Sequence, residues 1–355
     1  MASLEILGSG HIDQRESAFP MAVQLNNGEL LCSFGTGGGA LVTGQTEWAR
    51  STDRGETWNT EGVVLEKDQK HNRANFMKLT RSPDGDTVYA YGSWVDADVD
   101  SGFGQRDSRA ILCLSTDQGH SWSEPKAVPF PEDCPLEVSH GLLHLPSGRL
   151  LAPAATLASP ETLGARVYLA RSDDQGSTWN YSTPFYDPDG QLGYFEQKFA
   201  QLTPDHLLGV AWTVTLGEYA DLENRFVLSE DGGTTWGTIH TTGIQAQTMT
   251  PIPLGRDRLL VLYNQRHGSQ AIKMALVRFR ESTWQVVTEE ILYDARTFYQ
   301  RSQQVESGID ELDDFQFGFP TGIVLQDGDI LTTHWCHEQG HCGIRWTKLR
   351  VHWKD

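Results

Sequence analysis

The stretch ARSTDRGETW, Ala49 to Trp58, sets Ser51, Asp53, Gly55 and Trp58 in a fixed order. Altered copies follow at Ser115 to Trp122 (STDQGHSW), Ser172 to Trp179 (SDDQGSTW) and Ser229 to Trp236 (SEDGGTTW). Their first serines lie 64, 57 and 57 residues apart, a period that marks stacked supersecondary units. Each copy has the chemistry of a self-sufficient turn. Asp accepts hydrogen bonds from nearby amides, Gly takes a positive φ, and Trp folds back over the hairpin. The four aspartates are therefore read as turn formers rather than as ligands or acids.

A second repeat is interleaved with the first: MAVQLNNGELLCSF, FMKLTRSPDGDTVYAY, GLLHLPSGRLLAPA, KFAQLTPDHLLGVAW, TPIPLGRDRLLVLY and TGIVLQDGDILTTHW. Each is a strand, a polar turn and a second strand. The serine-to-tryptophan turn then joins strands three and four, as in EWARSTDRGETWNTEGVVL. The unit is a four-stranded antiparallel meander, and six such units in a ring make an all-β, six-bladed β-propeller, read as one domain over residues 1–355. Inner strands are predicted to begin near Ala18, Asn75, His140, Glu196, Thr248 and Phe319. The last repeat ends with one further strand, CGIRWTKLRVHW, so SLEIL (Ser3–Leu7) is expected to close the last blade.

Composition agrees. With 38% hydrophobic and 21% charged residues, 355 residues can bury a sizeable core, and the 35 glycines and 11 tryptophans suit a turn-rich β protein. A formal charge of −19 argues against duplex nucleic acid or an anionic membrane as partner. No run approaches the length of a membrane span, and MASLEILGSGH lacks the basic start and apolar core of a secretory leader. The chain as given is expected in the cytoplasm, or in the periplasm or outside the cell if a leader has been removed. Five cysteines are an odd count for a disulfide framework; Cys32 and Cys113 sit in apolar strands as buried thiols. No Gly-rich phosphate loop calls for an organic cofactor, and none is expected.

The SxDxGxxW turns on a six-bladed frame resemble the Asp-box, or BNR, repeats of the sialidase (neuraminidase) superfamily, over nearly the whole chain. The resemblance implies three arginines that hold a carboxylate, an Asp acid/base, and a Tyr nucleophile paired with a Glu. Glu196 in YFEQKF stands where that Glu opens the fourth inner strand. Other positions depart. Ala18 stands in the place of the first Arg, with Arg15 three residues earlier, and Trp212 occupies the second. Arg266 in NQRHG is the candidate for the third. The first upper loop, GTGGGALVTGQTEW, offers only Glu47 as an acid, and DDFQFGFP has Phe315 and Phe317 where Tyr is expected. The pattern implies a sialidase-like propeller with a rearranged pocket.

Propeller geometry puts a ligand site on the face opposite the SxDxGxxW turns, among the segments entering the inner strands and the loops after the second strands. The candidates for acid/base work are Glu196, Asp98 and His140, because such catalysis needs two titratable groups in different environments. Arg15, His71, Arg73, Tyr194, Trp212, Glu218, Arg266, Phe317 and His337 are the candidates for holding substrate. The loop Asp96-Ala-Asp98-Val-Asp100 resembles the start of a calcium loop but lacks its distant Glu, and is read as a solvated acidic loop. HWCHEQGHC (His334 to Cys342) has zinc-ligand residue types at no familiar spacing, and is read as a hairpin bearing site histidines. Three functions fit. The first is an exo-acting glycoside hydrolase removing a terminal, optionally acidic, sugar from an oligosaccharide or polysaccharide. The second is a lyase on uronate-containing polysaccharide, with Arg73 or Arg266 neutralising the carboxylate and His140 or Tyr194 moving the proton. The third is a silent glycan-binding propeller.

Overall fold

A computed structural model describes residues 2–98, 104–266, 268–280, 282–297 and 315–353. In chain order the strands are β1 (Ala2–Asp13), then β2 (Ser17–Gln24), β3 (Leu30–Thr36), β4 (Thr46–Ser51) and β5 (Asn59–Leu65) in blade 1. Blade 2 is β6 (Arg73–Arg81), β7 (Val88–Asp96), β8 (Ser108–Ser115) and β9 (Lys126–Ala127). In blade 3 the inner strand is broken into β10 (Leu136–Glu137) and β11 (Leu143–His144), followed by β12 (Leu150–Leu157), β13 (Leu163–Ser172) and β14 (Asn180–Tyr186). Blade 4 is β15 (Leu192–Gln201), β16 (Leu207–Thr215), β17 (Glu223–Ser229) and β18 (His240–Gln245). Blade 5 is β19 (Met249–Pro253), β20 (Arg258–Gln265), β21 (Ala271–Arg280) and β22 (Thr283–Asp294). Blade 6 is β23 (Phe317–Val324), β24 (Ile330–Glu338), β25 (His341–Trp353) and, closing the ring, β1, which pairs antiparallel with β25 from Ala2 opposite Trp353 to Asp13 opposite Ile344.

The second strand of every blade carries two successive apolar residues at or one residue after its start, and the alternation of a strand sends them to opposite faces. Leu30 packs against blade 6 and Leu31 against blade 2. Val88 and Tyr89, Leu150 and Leu151, Leu207 and Leu208, Leu259 and Leu260, and Ile330 and Leu331 divide the same way, the first toward the preceding blade and the second toward the following one. Six inter-blade cores follow, and the one between blades 6 and 1 completes the ring. A sheet buried on both faces reads as an apolar run, which is why these strands lack polar alternation.

The repeated turns form as the sequence implies. Ser51 Oγ donates to Asp53 Oδ1 at 2.8 Å, and the amides of Gly55 and Thr57 donate to Ser51 Oγ and Asp53 Oδ1 at 2.8 and 2.9 Å. Gly55, Gly119, Gly176 and Gly233 all have φ between 81 and 91°. The hydroxyls and amides of Thr57, Ser121 and Thr178 hold Asp53, Asp117 and Asp174 down at about 2. Because these turns follow the third strands, they lie at the opposite end of the blades from the loops joining second strands to third.

Two inner strands differ from expectation. His140 falls in the break between β10 and β11 rather than at a strand start, and β15 begins at Leu192, ahead of Glu196. The inner strands of blades 1, 4 and 6 also each carry a bulge, at Phe19, Glu196 and Phe319, with φ of 58, 44 and 50°. A positive φ at such residues costs roughly 1–3 kcal/mol each and turns their side chains toward the ring axis.

Candidate active site

The three bulged residues meet at one cavity of about 200 Å³ on the predicted face. Its walls are largely apolar. Phe19, Phe76 and Phe319 come from the inner strands of blades 1, 2 and 6, with Phe19 5.5 Å from Phe76 and 5.4 Å from Phe319 between ring centroids. Trp212, Trp335 and Phe315 add further rings, and Leu41 and Val42 come from the β3–β4 loop. That loop therefore supplies an apolar wall where the family pattern would put an acid. Arg106 fixes it in place, donating to the carbonyls of Asp96, Leu41 and Val42 at 2.5, 2.8 and 3.0 Å.

The polar groups of the cavity are few and crowded. Glu196 exists there because its bulge aims it at the axis, and its amide donates to both carboxylate oxygens of Glu137, at 3.1 and 3.3 Å. Ser139 Oγ donates to the same carboxylate. Glu137 itself is the last residue of β10, paired opposite Ala155, and the break in the blade 3 strand begins directly after it. Glu196 Oε2 is buried with no hydrogen-bond partner. Burial pushes the Glu137 carboxyl up to about 7, and its neighbour Glu196 adds to the rise. Burial also raises Glu196, against the opposing pull of Lys198, Arg266 and Lys78.

Arg266 faces this pair from blade 5. Its guanidinium donates to Gln247 Oε1 and to the Phe317 carbonyl, lies 3.5 Å from the Phe315 ring centroid, and is lowered by burial to about 10. Asp221 accepts from Trp212 Nε1 at 2.6 Å and from Gln247 Nε2 at 3.1 Å, so one carboxylate orients both the Trp212 wall and the partner of Arg266.

Glu196, Trp212 and Arg266 are thus brought together as the sequence suggests. The other candidates lie elsewhere. His140 is buried behind the cavity lining, donates Nδ1–H to the Gly141 carbonyl at 2.7 Å, and is driven by burial and then by Lys198 down to about 3, which keeps it neutral. Tyr194 alternates with Phe195 along β15 and so turns into the core between blades 3 and 4, its ring 5.3 Å from Phe185. Phe317 packs with Tyr293 and Cys336 off the cavity lining, and it meets the site through Arg266, which bonds its carbonyl and lies 5.4 Å from its ring centroid. Arg15 is exposed and engaged by Asp13 and Glu47 at 2.6 and 2.9 Å. His71 bonds Asp68 at 2.6 Å on the surface, and Arg73 sits 3.9 Å from Asp107. Asp98 and Glu218 are exposed and off the cavity lining. Asp96–Asp100 runs beyond the described residues at its end. His337 belongs to the hairpin of β24 and β25, opposite Cys342, away from the lining.

Sequence reasoning missed Glu137, Ser139, Phe19, Phe76 and Arg106, and two lysines behind the lining, Lys78 and Lys198. Glu137 was visible as the acid opening EVSHGL, one of the entering segments, and each lysine as a lone charge in an apolar inner strand, FMKLT and QKFAQ.

The comparisons with known proteins agree on the frame. Residues 48–331 match the model of the BNR repeat-like domain. No curated protein matches the chain. Among solved structures, a protein of unknown function from Dyadobacter fermentans is similar over 98% of this chain and 99% of its own, at 20% identity and a TM-score of 0.75. The NanB sialidase from Streptococcus pneumoniae is similar over 98% of this chain and 70% of its own, at 13% identity and a TM-score of 0.66. An α-L-arabinanase from Penicillium chrysogenum, complexed with arabinobiose, is similar over 97% and 98%, at 14% identity and a TM-score of 0.65.

Proposed function

The chain belongs to the BNR repeat-like domain family, and from that premise we propose that it is a glycoside hydrolase that removes a terminal sugar from a glycan. The observation that carries this reading is the pair Glu137 and Glu196 in an aromatic pocket at the ring axis. Hydrolysis of a glycosidic bond needs one carboxylic acid to protonate the leaving oxygen and one carboxylate to act as base or nucleophile. Two carboxyls that share one buried site do not both ionise near neutral pH, and they titrate as a pair. Glu137, held protonated toward pH 7 by burial, is the acid. Glu196, facing the charges of Lys198 and Arg266, is the carboxylate.

The pocket suits a chain end, because Phe19, Phe76 and Phe319 crowd the axis while offering faces for a sugar ring. Arg266, bonded to Gln247 and to the Phe317 carbonyl but with its buried Nε unpaired, is the lining guanidinium left for a substrate carboxylate, since Arg106 is spent on three carbonyls. A sugar with at most one carboxylate fits, and the three-arginine clamp of sialic acid hydrolysis has no counterpart among the described residues. That the similar structures include a sialidase and an arabinanase supports a glycan as substrate. The test is a panel of aryl glycosides of neutral, uronic and sialic sugars, run with the wild type and with Glu137→Gln and Glu196→Gln. Release of the aryl group by the wild type and its loss in both variants is the expected result. Products with an ultraviolet-absorbing double bond would make it a lyase, and binding without turnover a glycan receptor.

A further inference from the structure

Lys78 on β6 and Lys198 on β15 are 0% and 1% exposed, a rare state for an ammonium group. They come from blades 2 and 4, the two neighbours of the broken strand of blade 3. Lys78 Nζ donates to the Val138 carbonyl at 2.5 Å, and Lys198 Nζ donates to the Ser139 carbonyl. The ring faces of Phe76 and Phe319 lie 3.9 and 3.6 Å from the two ammonium groups, contacts that partly replace lost water. Val138 and Ser139 follow Glu137 directly and lie in the gap between β10 and β11, where ladder pairing is lost and a buried carbonyl needs another donor.

We infer that Lys78 and Lys198 are positioning residues for the carboxylate pair: from either side they cap the two carbonyls of the strand break that presents Glu137, and they supply the positive charge that lets one of the two glutamates ionise. The inference rests on the reading of Glu137 and Glu196 as the reacting pair. The charged groups around the lysines are consistent with it. Glu196 and Glu137 attract both ammonium groups, the lysines repel one another, and neutral His140 sits beside Lys198. Arg266 faces Glu196 from blade 5, with Asp221 behind it. Burial lowers Lys78 well below the ordinary lysine value and lowers Lys198 to about 8, while Glu196 and Glu137 pull both the other way.

The test is a carbon NMR titration of Glu δ-carboxyls in protein labelled at glutamate, with Glu137→Gln and Glu196→Gln used to assign the two signals. It needs no substrate. Lys198→Met is expected to move the Glu137 midpoint upward by about 1 unit or more, the size of an opposite charge at close range, while Lys198→Arg keeps it. Lys78→Met is expected to shift it in the same direction. Lysines that only fill space would lower the melting temperature and leave both midpoints in place, which would overturn the inference. Should Lys198→Met fail to fold, Lys78→Met and Lys198→Arg decide by the same midpoints. If Glu137→Gln retains full turnover on a cleaved glycoside, the catalytic reading falls while the midpoints still report whether the lysines set the charge of the pair.

Discussion

Replacing Glu137 by Gln keeps the shape of the side chain and its acceptor oxygen toward the Glu196 amide, and removes the ability to ionise. In the folded protein burial raises this carboxyl from 4.5 to about 7. A raised carboxyl contributes stability below its unfolded value that is lost as pH climbs through its folded value. At 1.36 kcal/mol per unit, the wild type loses about 3 kcal/mol between pH 4 and pH 8 through this group, and the Gln variant loses none of it. Urea melts of both proteins at pH 4 and pH 8 measure the effect: titrations remote from the pair cancel in the difference, and the easier ionisation of Glu196 once Glu137 is neutral adds to it in the same direction. The variant is expected to gain about 3 kcal/mol on the wild type across that range. A gain below about 0.5 kcal/mol, within the scatter of a neutral surface substitution, would mean that Glu137 is ionised and hydrated like any surface acid, and would remove it as the proton donor.

Glu196→Gln should lower turnover by roughly 100- to 10,000-fold with no loss of melting temperature, and turnover at the wild-type rate would take Glu196 out of the chemistry. Arg106→Ala frees Leu41 and Val42 and should raise KM by about tenfold, a loss of about 1.4 kcal/mol; an unchanged KM would show that the β3–β4 wall stands without its clasp. Trp122→Ala and Trp179→Ala remove half-buried rings, so about 2 kcal/mol of stability is expected to go, less than the 3 to 5 of a fully buried ring. Either variant melting normally yet inactive would contradict the structural reading of the turns.

The ring was legible in the sequence because its signals are local. A serine, an aspartate and a glycine make their own turn, and the Leu-Leu pairs announce a strand with a blade on each side. Glu196 was legible for a related reason, since it stands at a countable place in a repeat. Glu137 was not, because it depends on a break in the blade 3 strand that interrupts the repeat, and His140 was chosen in its place as the start of a strand that does not form there. Lys78 and Lys198 look solvent-facing to a reading by alternation; their burial comes from the neighbouring blades that meet over them. Tyr194 failed through one residue of register, because Phe195 and Glu196 take the cavity and the alternation turns Tyr194 the other way.

The pairing of β1 with β25 fixes an order of events during synthesis. Leu4 lies opposite Val351, so the first strand of the ring to leave the ribosome finds its partner last. At roughly 5 to 20 residues per second, it waits roughly 20 to 70 s while five blades assemble beside it. Throughout that time β1 is an unpaired edge carrying Ile6 and Leu7, both exposed even in the finished ring, and such an edge is open to pairing with a second chain. Blade 6 is therefore the seam of the molecule: the last part to close, and the part whose opening frees a whole strand without disturbing the inner strands that carry Glu137 and Glu196.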